Sequence, residues 1–433
     1  MPTIHSRSIA FVLLTVASFA LALSASASND WRNLVFMQAI SDGDGGLVDG
    51  LSGARSVAVS PDGKHVYVVG YDDNAVVALA RDPIGGELTF LEVEQDEVGS
   101  VHGMLGPRFV TVSPDGKHVY IAGALDNSVV VFLRDATTGG LDWEQMQEDG
   151  EGIVDNLTSP NSIASSPDGK HVYVTSLGDD AVAWFGRNLS NGHLLYIAAV
   201  KNSDPGVDGL TFPTSVAVSP DGEHVYVTGG DDDSVVVLDR DPTSGTLTFI
   251  GRVQDDFESV DGLNGPLSVT VSPDGKHVYV AASLEDEVAI FSRNSTSGAL
   301  TYVGIVKDGV GDVEGLSSPF SVTVSPDGRF VYVTSGGTSQ ALVMFVRDPS
   351  TGNLIFEDLA ADGVGGVAGL ADPRMSAVSP DGRNVYVSAA SSHAVTTFFV
   401  SLTGYFRADL PASEMANMPP VSVPPISKGV ASH

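Results

Sequence analysis

Hydrophobic residues in this chain gather into short runs of Val, Ile, Leu, Tyr and Phe, each stopping at Gly, Pro, Asp or Asn. Runs of this length, rich in β-branched and aromatic side chains, predict strands rather than helices. Residues 215–253 show the scheme. Ser215 to Val218 predicts a first strand, and Pro220-Asp221-Gly222 a tight turn, where Pro presets φ at one corner and Gly relieves crowding at the exit. His224 to Thr228 predicts a second strand, Ser234 to Leu238 a third beyond the loop Gly229 to Asp233, and Leu247 to Val253 a fourth beyond the turn Asp241 to Gly245.

The tetrapeptide Ser-Pro-Asp-Gly begins at Ser60, Ser113, Ser166, Ser219, Ser272, Ser325 and Ser379, so the pattern recurs at intervals of 53 or 54 residues. A strand-only repeat of this period predicts the blades of a propeller. The expected fold is all-β: a seven-bladed β-propeller of four-stranded blades over residues 31–402. The seventh unit has no outer strand after His393 to Phe399. Asn33-Leu-Val-Phe36 followed by Asp42 matches Asn353-Leu-Ile-Phe356 followed by Asp362. The N-terminal strand is therefore expected to complete blade seven and close the ring, which removes open sheet edges. Tyr405 to Leu410 is the alternative donor of that strand.

The two ends of the chain read differently from the body. His5 and Arg7 precede an apolar run from Ile9 to Leu23 and the small residues Ala25-Ser26-Ala27, the layout of a secretory signal peptide over residues 1–27. Residues 411–433, with Pro419-Pro420 and Pro424-Pro425, read as a disordered proline-rich tail. The mature protein is expected to be secreted or periplasmic. With 22 Lys+Arg against 54 Asp+Glu, the formal charge is -32, which argues against nucleic acid and anionic membranes as partners. The chain has no cysteine, which excludes disulfides, thiolate nucleophiles and Cys-ligated zinc. No phosphate loop, triad or metal motif is visible, and no cofactor is expected.

Ser-Pro-Asp-Gly-Lys-His-Val-Tyr-Val-Thr, with Gly-Pro-Arg-Phe-Val ahead of Ser113, resembles the lactonase-type propellers. That family includes 6-phosphogluconolactonases, carboxymuconate-cyclising enzymes and YVTN-repeat proteins. The resemblance implies a metal-independent site of arginine, histidine and glutamate side chains at one mouth of the channel. The secretory signal departs from the sugar-phosphate enzymes, whose substrate is cytosolic.

The seven copies act as controls for one another. His65, His118, His171, His224 and His277 share one slot, and the tyrosines at 67, 120, 173, 226, 279, 332 and 386 share another, so both sets are architectural. Asp42, Asp96, Asp149, Asn202, Asp255, Asp308 and Asp362, at the ends of the fourth strands, are expected to hold backbone N–H groups in turns. A further acidic slot (Asp49, His102, Asp155, Asp208, Asp261, Glu314, Ala368) reads as a solvated turn, because the EF-hand spacing is missing.

The informative slot lies five residues before each Ser-Pro-Asp-Gly: Arg55, Arg108, Asn161, Thr214, Leu267, Phe320 and Arg374. It should open onto the channel, with the arginines on neighbouring blades seven, one and two. His102 and His393 break their own slots in the same sector, and Glu314 is longer than the aspartates of its slot. Arg55, Arg108, Arg374 and Asn161 are thus candidate binders of a small anion, and His102, His393 and Glu314 candidate proton carriers. Three functions stay open: a lactonase-like hydrolase of a small anionic lactone, a non-catalytic binding propeller, or a protein that meets a protein or glycan partner through its loop face. The arginines could also merely pair with Asp49, Asp155 or Glu314.

Overall fold

The computed structural model describes residues 33–46 and 48–401. The proposed signal peptide, the proline-rich tail, Tyr405 to Leu410 and the outermost body residues Trp31, Arg32 and Leu402 lie outside these. The described residues form seven antiparallel sheets of four strands. Blade one runs Ala54–Val59, His65–Gly70, Ala75–Arg81 and Leu88–Gln95, which we call strands a to d, and blades two to six repeat this order. Strand a lies innermost, where the a strands of successive blades meet around the ring, blade seven against blade one included.

Blade seven is assembled from both ends of the body. Its strands a to c are Pro373–Val378, Asn384–Ala389 and Ala394–Val400, and its strand d is Leu34–Ser41. The register pairs Leu34 with Val400 and Ser41 with Ala394, as the match to blade six predicts. Strands b and c are buried on both faces almost throughout, which is why their sequences are continuous rather than alternating. The core is divided into seven apolar clusters, each shared by two adjoining blades.

The recurrent polar residues form a clasp at the seams, on the face of the a–b turns. Arg187, at the end of strand c in blade three, reaches back to blade two. It donates to Tyr120 Oη (2.6 Å), to both carboxylate oxygens of Asp115 (2.9 and 3.0 Å) and to His118 Nδ1 (2.8 Å), and also to the Gly169 carbonyl of its own turn. Tyr120 in turn donates to the Gly192 carbonyl. Arg81, Arg134, Arg240, Arg293 and Arg347 repeat the arrangement. Against Arg81 the histidine is replaced by Asn384, whose Oδ1 accepts at 2.7 Å. At the seam between blades six and seven, Val400 stands in the arginine slot and Phe330 in the histidine slot, both within one apolar cluster. These arginines recur in six of the seven units, yet the reading of the sequence passed over them.

The acidic residues after strand d do hold their turns. Asp42, Asp96, Asp149, Asn202, Asp255, Asp308 and Asp362 each accept from a backbone N–H eight or nine residues on. Among the described residues no helix is long and apolar enough to cross a membrane.

Candidate functional site

The residue before each strand a takes a left-handed backbone: Gly53, Gly106, Ser159, Phe212, Gly265, Ser318 and Asp372 have φ between 51 and 67°. This bend turns the d–a loop into the inner strand and delivers the residue two further on into the channel. All seven of those residues, from Arg55 to Arg374, line one cavity of about 250 Å³. A second cavity of about 360 Å³ adjoins it through Arg55 and Arg374, and is completed by Gly53, Tyr71, Asp72, Asp372, Ala390, Ser391 and His393. Both are of the order of known small-molecule sites, which run from roughly 300 Å³ upward.

The three arginines are half-buried and differ in their partners. Arg374 forms an ion pair with Asp372 (2.6 Å) and lies over the Phe320 ring at 4.6 Å. Arg55 lies over the Tyr71 ring at 4.2 Å, and among the described residues no carboxylate pairs with it. Arg108 reaches only Ser159 Oγ, at 3.3 Å, and its Nε is buried without a partner. Burial, then Arg374 and then Arg108, push the Arg55 guanidinium below its usual pKa. Pairing with Asp49, Asp155 or Glu314 is therefore not what these arginines do. Two unpaired guanidinium groups, crowded at one mouth of a strongly acidic chain, form a site that an anion would relieve.

Leu267, Phe320, Leu177, Phe212, Phe109 and Met375 give the same cavity an apolar lining beside the arginines. Asn161 faces the same cavity with its Nδ2 donating to the Thr214 carbonyl at 2.5 Å.

The candidate proton carriers separate. His393 lines the second cavity, held in the role of its slot: its Nδ1 accepts from Gly53 N–H at 2.9 Å, as Asn74 Oδ1 does from Gly106 N–H. The neutral ring then carries its proton on Nε2. His102 lies outside both cavities, half-exposed, paired with Glu97 at 3.1 Å and edge-on to Trp143 of the outer strand of blade two. Glu314 is exposed and also lines neither cavity. Two residues of the site were missed by sequence reasoning. Asp372 is the only carboxylate among the seven residues preceding strand a, and Tyr71 the only aromatic among those following strand b. The comparison between repeats that singled out the arginines would have found both.

The family model "Lactonase, 7-bladed beta-propeller" matches residues 92–260 and 254–404. The chain belongs to the seven-bladed lactonase family. A 6-phosphogluconolactonase of Bacillus subtilis is 27% identical over 288 residues, covering 64% of this chain and 75% of the relative. One of Formosa agariphila is 26% identical over 327 residues, covering 71% and 85%. The structure of a periplasmic gluconolactonase of Pseudomonas aeruginosa superposes with a TM-score of 0.58 at 21% identity, over 78% of this chain and 88% of the other, a likeness of fold. This lactonase-family chain thus shares descent with hydrolases, on a scaffold whose Ser-Pro-Asp-Gly turns and clasps carry architecture rather than chemistry.

Proposed function

We propose that this propeller is an exported, metal-independent lactonase-type hydrolase that binds a small anionic lactone, or the carboxylate it yields, at the arginine-lined mouth. The observation that carries the reading is that Arg55 and Arg108 face one cavity without carboxylate partners in a chain of formal charge -32. In this scheme the arginines hold the substrate's anionic group and steady the oxyanion that forms when water adds to the lactone carbonyl. The ring C–O bond then breaks, and the alkoxide takes up a proton. Asp372 and Asp72 are the carboxylates at the cavity able to accept the proton of the attacking water and return it to the alkoxide, while His393 Nε2–H can hydrogen-bond the leaving oxygen. Export rests on residues 1–27, and it favours an unphosphorylated sugar acid or similar carboxylate over 6-phosphogluconolactone, the substrate class in the relatives' names.

A non-catalytic binding propeller is the second reading. It is favoured by the engagement of His393 Nδ1 with Gly53 and of Asp372 with Arg374, which leaves neither as a free base. Calorimetry with gluconate against neutral glucose, beside hydrolysis assays of a glucaric acid lactone, which keeps a free carboxylate, and of 6-phosphoglucono-lactone, tests both. Arg108→Met should weaken gluconate binding roughly ten- to a hundredfold, the loss of a charge-assisted contact of about 1.5–3 kcal/mol. Lys64→Met, on the opposite face, should change nothing. Binding without turnover in any assay supports the second reading, and absence of carboxylate binding refutes both.

A further inference from the structure

Blade five departs from its sisters at a place remote from the arginines. The first residue of strand c is Ala75, Ser128, Ala181, Ser234, Ala341 or Ala394 in the other blades, but Glu287 here. Its side chain is only 1% exposed. One carboxylate oxygen accepts from Lys307, while the other, Oε2, is buried with no hydrogen-bond partner. That oxygen is packed against Gly262, where a Cβ would come within 2.7 Å of it.

The replacement removes a hydrogen bond that two other blades make at this place. In blade four Ser234 donates its hydroxyl to the Gly209 carbonyl at 2.6 Å, and Ser128 does the same to Gly103. Gly262 is the counterpart glycine. In blade five a carboxyl group stands in the place of the serine donor, and its Oε2 makes no such bond to Gly262.

A second exchange accompanies the first. Asp73, Asp126, Asp179 and Asp232 each take a backbone N–H of the neighbouring d–a loop, at 2.7–2.8 Å. Their counterpart is the longer Glu285, which touches only Asn264 Nδ2, at 3.4 Å. Oxygens of Asp261, Glu285 and Glu287 then lie within 4.8 Å of one another. Oxygens that share a calcium ion at about 2.4 Å can be at most about 4.8 Å apart. We propose that blade five binds a divalent cation of the calcium type between Asp261, Glu285 and Glu287, with water and loop carbonyls completing its shell. A hard cation supplies the positive partner that Glu287 Oε2 lacks and offsets three carboxylates against the single Lys307.

The repeats provide variants that should fold. Glu287→Ala and Glu285→Asp each restore the residue found in four other blades. The full chain, stripped with a chelator, is titrated calorimetrically with CaCl2 and melted with and without it. The wild type should bind one ion with Kd on the order of 0.1–1 mM, and its melting temperature should rise with calcium. Glu287→Ala should lose at least tenfold in affinity and the calcium-dependent rise while melting normally without the ion, and Glu285→Asp should weaken binding. Three results would overturn the assignment. The first is no saturable calcium heat in the wild type; the second is wild-type binding in both variants, which moves the ion elsewhere, for instance to Asp42, Asp49 and Asp73; the third is binding in Lys307→Gln alone, which makes the lysine the site's own cation.

Discussion

Mild acidification should loosen the seams of the ring through their buried histidines. His65, His118, His171, His224 and His277 are buried, and each accepts an arginine N–H at Nδ1. Burial first, and then the adjacent arginine, hold each of them below its ordinary pKa of 6.5. Unfolded histidines bind protons from pH 6.5 downward while the native ones resist. The stability tied to them is therefore complete above 6.5 and lost as pH falls toward the native value. At pH 5.5 each histidine that stays neutral in the native state costs about 1.4 kcal/mol of stability, so the five together reach at most about 7 kcal/mol. With an unfolding entropy of roughly 2.1 cal/mol/K per residue over the body, that ceiling corresponds to about 9 °C. Melting curves or urea midpoints recorded from pH 7.5 to 5.5 read it directly. His118→Asn, which borrows the residue blade seven uses at Asn384, should remove about a fifth of the dependence. A melting temperature constant within about 2 °C across that range would refute the argument.

Deleting residues 31–40 should strip blade seven of its outer strand and lower the melting temperature markedly, while deleting residues 411–433 should leave it nearly unchanged; equal effects would contradict closure by the N-terminal strand. Protein recovered from its native source should begin near Ser28 by mass spectrometry, and an intact Met1 would remove the case for export.

Seven internal copies made the fold readable, because a pattern repeated at fixed spacing can be aligned against itself. Ring closure followed from the same comparison: Asn33 to Phe36 matched the outer strand of blade six and proved to occupy that position in blade seven. The histidines and tyrosines were recognised as architectural, but their partner was not, because Arg81 and its counterparts sit at strand ends where a charged residue passes for a solvated one. The mouth was legible as far as one slot reaches. Arg55, Arg108, Asn161 and Arg374 share a cavity because strand a is innermost in every blade. For His102 and Glu314 the sequence specified the face but not the radius. Each d–a loop runs inward from the outer strand, so residues early in the loop stay at the periphery, and His102 settles against Trp143 instead of the channel. His393 broke its slot by residue type while keeping the slot's hydrogen bond, which only coordinates reveal.

Pairing the first strand with the last also imposes an order of events on biosynthesis. Leu34–Ser41 leaves the ribosome before any other strand, yet its partner Ala394–Val400 is among the last to be made. Throughout synthesis the growing array therefore keeps a free edge at each end, and the earliest strand waits unpaired for the whole of translation. Contacts so distant along the chain make the final step slow, since a long loop must close before it is rewarded. During that wait a strand from one chain can enter the blade of another, so crowded refolding should yield dimers exchanged at this strand. Dilution, or a permuted chain that begins at blade one and carries residues 33–41 after residue 401, would suppress them.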